Sequence, residues 1–118
     1  MGFLFEKMIF QQKELVLLPY PFSDQGGTKV RPAIIISNDT FNKRCEDCVM
    51  VPLTTVIKDE PFSLLINQDS LESGKLLKQS RIRIDKIFTI KKSLIMMKIG
   101  KINNDLLIKI KSEIDKVF

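Results

Sequence analysis

One permanent positive charge stands at the mouth of an apolar run in the stretch GGTKVRPAIIISND, from Gly26 to Asp39. Pro32 locks its own φ and pushes Arg31 toward an extended conformation. Gly26 and Gly27 let the loop before it bend sharply or lie close to a ligand. Ala33, Ile34, Ile35 and Ile36 read as a buried strand. A guanidinium braced by a rigid strand suits an anion, because its planar fork pairs with phosphate or carboxylate oxygens and never loses its charge. A solvated arginine at a strand entrance is the plainer reading of the same residues.

Other chemistry is narrowed by what the chain lacks. It has no histidine, so a histidine acid–base pair and a histidine metal site are both excluded. Cys45 and Cys48 form a single CxxC with no second Cys or His pair, which is half of a zinc site. No thioredoxin-like βαβ pattern surrounds them, so two free thiols are expected. No tight cluster of carboxylates suggests a divalent cation. No cofactor is expected.

The elements that must position Arg31 are short strands. Leu15 to Leu18 reads as a first strand closed by Pro19 and Pro21, followed by a polar loop from Tyr20 to Val30. Pro32 to Ser37 is a second strand, and Asp39 or Thr40 can cap a helical turn after it. Val49 to Thr55 is a third, whose Pro52 argues for an edge or a bulge. Phe62 to Ile66 is a fourth. In Lys75 to Asp85 the residues Arg81, Arg83 and Asp85 alternate with Ile82 and Ile84, the period of a strand with one charged face. Leu94 to Ile99 is a further strand. A terminal helix capped by Asn103 or Asn104 aligns Leu106, Leu107, Ile110, Ile114 and Val117 on one stripe. Five or six short strands and one helix predict a small β-barrel with helical decoration.

At 118 residues, 44% hydrophobic and 28% charged, the chain has the size and make-up of one globular domain. The net charge of +5 is unevenly spread. Residues 75–101 hold nine Lys and Arg against the single acid Asp85, the footprint of a polyanion partner, either nucleic acid or an acidic protein tail. The opening MGFLFEKMIFQQ is interrupted by Glu6 and Lys7 and is too short and too charged for a membrane span or a signal peptide. Residues 1–11 are expected to be an extension, and the protein to be cytoplasmic with no membrane partner.

In this order and spacing the pieces resemble the MazF/PemK family, the endoribonuclease toxins of type II toxin–antitoxin systems, in its PemK-like branch. The matching residues are Glu14-Leu15-Val16, Pro19 to Phe22, Asp24 to Gly27, Arg31-Pro32-Ala33, Ser37-Asn38-Asp39, and Val51 to Thr55. Leu71 to Gly74, Gln79 with Arg81, and Asp85 to Thr89 complete the set. The family's Gly-Asp at the first strand is Lys13-Glu14 here. The Arg-x-Asp that some members carry before the glutamine is Leu76 and Lys78, so an acid–base pair at those places does not carry over.

The resemblance implies one SH3-like barrel over residues 1–118, mostly β with short helices and a C-terminal helix. It implies a homodimer that cuts single-stranded RNA without metal, in a sequence-specific way. It also implies an antitoxin that covers the RNA groove with an acidic C-terminal segment. The catalytic positions it transfers are Arg31 and Thr54. Around them Asp24, Gln25, Gly26, Gly27, Lys29, Thr55, Lys78, Gln79 and Arg81 are the expected RNA-binding residues. Tyr20, Phe22 and Phe41 are candidate stacking faces for bases. The general base is left open, with Asp24 a candidate by loop position alone. Two other readings of the same barrel are a CcdB-like toxin that binds a topoisomerase through its C-terminal helix, and an SH3-like binding module without activity.

Overall fold

The structure, a computed structural model, describes residues 9–20 and 29–118; of Tyr20 it describes the backbone alone. Residues 1–8 and the loop with Phe22, Asp24, Gln25, Gly26 and Gly27 lie outside the described residues. The strands are β1 (Glu14–Tyr20), β2 (Lys29–Ile35), β3 (Asp47–Thr54), β4 (Ser63–Ile66), β5 (Leu71–Gly74), β6 (Ser80–Arg83), β7 (Phe88–Lys91) and β8 (Met97–Ile102). Two α-helices accompany them, α1 (Asp39–Arg44) between β2 and β3, and α2 (Asn104–Val117) at the end. The strands form one antiparallel sheet in the order β4-β6-β3-β2-β1-β8-β5, with β7 also paired to β3. It curls as a half-barrel, the mostly β architecture with a terminal helix that the strand pattern predicts.

The central strands carry apolar residues on both faces, which is why they read as continuous runs. Leu15, Ile34, Val51, Leu53, Ile82 and Ile102 face one core, closed by Leu106, Leu107 and Ile110 of α2. Val16, Leu18, Ala33, Ile35, Cys48 and Met50 face a second, closed by Phe10, Ile90 and Ile95. Burial of α2 falls on the expected stripe at Leu106, Leu107 and Ile110, and Asn103 caps the helix by accepting from the Leu106 N–H. Val117 is largely exposed.

Several boundaries differ from the sequence pattern for identifiable reasons. β1 runs through Pro19, because that residue pairs at the strand's outer end, opposite Val30. The cap of α1 is Asn38, whose side chain accepts from the Phe41 N–H at 2.8 Å, one residue earlier than expected. Only Ser80–Arg83 of the segment 75–85 is strand; Ile84–Lys86 turns away as a single 3₁₀ turn. The strand β5 carries no strand pattern in the sequence. Gly74 does bend, at φ +84°, yet the bend lies within the pairing with Gly100 of β8. A Cβ on Gly74 would come within 2.3 Å of Gly100 Cα, so β5 and β8 cross where neither has a side chain.

Candidate nucleic-acid interface

Two prolines shape the place where Arg31 and Thr54 sit. The β2–β3 ladder runs Ile35–Met50, Ile34–Val51, Ala33–Pro52 and stops, because the next residue of β2 is Pro32, which has no N–H to give. On its other side β3 pairs with β7 up to Met50 and with β6 from Leu53 onward. Pro52 occupies the gap between those partners, the only place in a buried strand where its missing donor costs little. The end of β3 is thereby released from β2 and handed to β6. Arg31 lies two residues before Ala33 and Thr54 two residues after Pro52, so both stand just beyond the end of the β2–β3 ladder.

Both residues are half-buried. The Thr54 hydroxyl oxygen accepts from the Val56 N–H at 3.2 Å, which leaves its O–H as a donor. Thr54 stands opposite Arg81 of β6, and Arg81 opposite Leu65 of β4, so one cross-strand row reads Thr54, Arg81, Leu65. Thr55 follows in the open, and Lys29 is exposed where β2 begins.

The arginines of β6 are tied down. Arg81 donates from Nε to Ser63 Oγ at 3.0 Å, and from Nη2 to Asp59 Oδ1 and Ser63 O at 3.3 Å each. Arg83 forms a fork on Asp85, with Nε to Oδ1 at 3.0 Å and Nη2 to Oδ2 at 2.8 Å, and its Nη1 lies 3.7 Å from Glu60. The hydrogen bonds from Arg83 hold the Asp85 carboxyl below the usual carboxylate range. Alternation does put Arg81 and Arg83 on one face, as the sequence predicts, but much of their charge is met by acids from the same protein. Nothing in the sequence marked Ser63, Asp59 or Glu60 as their partners, since a serine in an apolar strand and two acids in a turn are ordinary.

Lys78 and Gln79 are exposed in the connection that leads into β6. That connection is pinned by Gln68, whose side-chain amide donates to Gly74 O at 3.1 Å and accepts from the Leu76 N–H at 2.9 Å. Gln68 is a positioning residue that the pattern of charges could not reveal. Phe41 is exposed on α1, away from the Thr54 end of β3.

Glu14, the acid retained from the family pattern, is buried. It accepts from the Gln11 N–H at 2.6 Å and pairs with Lys98 at 3.0 Å, whose ammonium lies 5.3 Å from the centre of the Phe10 ring. Its role is to fasten β1 to β8. Cys45 and Cys48 are both free, Cys45 at the end of α1 and Cys48 buried in β3, where burial pushes its thiol pKa up. Among the described residues no group of three or more His, Cys, Asp or Glu side chains could hold a metal ion. No helix among them is long and apolar enough to cross a membrane.

A family model described as PemK-like, MazF-like toxin of type II toxin–antitoxin system matches residues 11–118. No curated protein matches the sequence. Among solved structures, a MazE–MazF complex from Deinococcus radiodurans superposes with a TM-score of 0.76 at 17% identity, covering 93% of this chain and 96% of that one. An endoribonuclease from a mycobacterial species gives 0.74 at 17% identity, covering 94% and 92%. A mycobacterial endoribonuclease in complex with its cognate antitoxin gives 0.71 at 19%, covering 91% and 92%. At these identities the superpositions establish the shared fold.

Proposed function

The chain belongs to the PemK-like, MazF-like toxins of type II toxin–antitoxin systems, and on that footing we propose that it is an endoribonuclease that cuts single-stranded RNA without a metal ion, at a site built on Arg31 and Thr54. The observation that supports this reading is that the β2–β3 ladder ends at Ala33–Pro52, two residues from Arg31 and from Thr54, with Thr54 passed on to Arg81 of β6. In the reaction the 2′-hydroxyl of the substrate attacks the adjacent phosphorus. A P–O2′ bond forms, the P–O5′ bond breaks, and the products carry a 2′,3′-cyclic phosphate and a 5′-hydroxyl. The Arg31 guanidinium stabilises charge on the phosphoryl oxygens, and the Thr54 hydroxyl donates to one of them. Lys29, Thr55, Lys78, Gln79 and Arg81 hold the strand in line, together with Asp24, Gln25, Gly26 and Gly27 of the loop before β2. Arg81 keeps its Nη1 donors for this while Nε and Nη2 hold Ser63 and Asp59. The lack of any histidine supports metal independence, as does the scattering of the acids among the described residues.

The solved relatives that contain an antitoxin support an antitoxin partner for this chain as well; we further propose that its acidic C-terminal segment competes with RNA and that the pair acts in the cytoplasm. A homodimer is supported by exposed apolar residues that adjoin one another, Leu94, Met96 and Met97. Light scattering at micromolar protein should then give twice the chain mass of 13.6 kDa.

The deciding experiment is cleavage of a labelled single-stranded RNA pool. Arg31→Ala should slow it by about 10²–10³ with an unchanged circular dichroism spectrum. An unchanged rate in a folded variant removes Arg31 from the mechanism. Wild-type cleavage should persist in excess EDTA; its loss there, and recovery with Mg²⁺ or Mn²⁺, would contradict the metal-free reading.

A further inference from the structure

At the far end of β3 from Thr54 the surface opens into a cleft of about 580 Å³. Asp47, which begins β3, pairs with Lys91, so about seven residues of strand, roughly 23 Å, separate this end from Thr54. Two elements bring cations to the cleft: Lys43 and Arg44 from the end of α1, and Lys91 and Lys92 from the end of β7. Glu46 is the one acid on its wall, and Phe10 and Ile95 form an apolar floor.

The charge here differs in kind from that of β6. Arg81, Arg83, Lys13, Lys98 and Lys116 each have a carboxylate within 4.0 Å, whereas among the described residues none of the four cleft cations has one. Part of the arrangement is structural. Lys43 and Arg44 complement the carbonyl end of α1, and the Lys92 ammonium donates to Asn42 O. That accounts for single cations near a helix end. It does not account for four cations and one acid around a hollow with an apolar floor, which repel one another until an anion enters.

We propose that this cleft binds a ribonucleotide unit. The phosphate meets Lys43, Arg44 and Lys91, the sugar or base lies along the Phe10 and Ile95 floor, and the Glu46 carboxylate accepts from a ribose hydroxyl. The volume falls within the range of small-molecule sites, which run from about 300 to 1,000 Å³. The same chemistry is offered by two sources, a free ribonucleoside monophosphate or a nucleotide of an RNA strand that extends past the cleaved bond. The second source rests on the function proposed above; the first does not.

The test uses the full chain and three probes: 5′-AMP, inorganic phosphate and a 2′-O-methylated RNA octamer that ends in one unmodified 3′ ribonucleotide, which keeps its ribose hydroxyls and has no downstream phosphate to cleave. Binding is read from amide chemical shifts of residues 43–46 and 91–93. At low salt either nucleotide probe should shift those amides, with 5′-AMP binding more tightly than inorganic phosphate. The double variant Lys43→Gln/Arg44→Gln should weaken binding at least tenfold, Glu46→Gln should narrow the gap between 5′-AMP and phosphate, and Lys111→Gln on α2 should change nothing. Shifts with both nucleotide probes, or with 5′-AMP alone, assign a free nucleotide. Shifts with the octamer alone assign the RNA strand. Shifts with neither, or equal affinity in wild type and the double variant, overturn the proposal. Because the readout is local binding, a failure here leaves the Arg31 cleavage result standing, and the reverse also holds.

Discussion

An arginine that stabilises a phosphoryl oxygen must hold its guanidinium still while the bond breaks. For the proposed role of Arg31, Pro32 behind it and the pairing with Leu18 of β1 fix the backbone from which the side chain reaches. A second residue, Lys13, shows what departure from the family pattern entails. It stands where the family places glycine, and its backbone is left-handed, at φ +83°. That conformation is costly for a side chain bearing Cβ. The backbone is fixed there because Lys13 donates to Ile35 O and accepts from the Ile102 N–H. The side chain recovers part of the strain by reaching Glu72 at 3.0 Å and Asn104 at 2.8 Å. Lys13→Ala keeps the strain and loses the bridge; Lys13→Gly loses both. The glycine variant should therefore unfold at higher denaturant than the alanine variant, by about 1 kcal/mol in stability. Equal midpoints would mean that the left-handed backbone carries no strain.

Among the elements, the strands that were legible are those whose burial leaves a period in the sequence. Ala33 to Ile36 shows up as an apolar run because β2 has a core on each face, and Arg81 to Ile84 shows up by alternation because β6 has one. Arg31 was marked as an anion-binding candidate by Pro32 and the glycines before it, whereas Thr54 was proposed only through family likeness, since a strand threonine looks ordinary. β5 and β7 were not legible. Leu71-Glu72-Ser73-Gly74 has no period and is mostly exposed, and what makes it a strand is its crossing with β8, a contact between residues far apart in the chain. The same crossing yields a prediction. Gly74→Ala places a Cβ against Gly100 Cα and Ile99 O, each 2.3 Å away, at a φ that favours glycine. Backbone atoms cannot step aside as a side chain can. A loss of roughly 2–4 kcal/mol is expected by chemical denaturation. A loss under about 0.5 kcal/mol, the scale of an ordinary surface change, would show that β5 detaches easily from β8.

At the scale of the whole molecule the question is which positive charges a polyanion can use. The sequence places nine cations between residues 75 and 101, but folding brings Asp59, Glu60 and Asp85 onto Arg81 and Arg83, and Glu14 onto Lys98. An internally paired cation has already shed its need for a counter-charge, so it contributes less to an RNA strand than a cation facing water. Each phosphate neutralised on a single strand adds about −0.7 to the slope of log K against log salt. Lys78→Ala, which removes an exposed cation beside β6, should flatten the slope for an uncleavable RNA by about one contact. Arg83→Ala should leave the slope nearly unchanged, because Asp85 and Glu60 share its charge. Arg81 is the informative intermediate, since among the described residues Asp59 is its only acid and that side chain is 95% exposed. An RNA phosphate can displace such a partner at little cost. Asp59→Asn should therefore tighten RNA binding at low salt while Glu60→Gln does so less. If Arg83→Ala flattens the slope as much as Lys78→Ala, the acids release their arginines when RNA arrives, and the charge count of the bare sequence is the better guide to the RNA path.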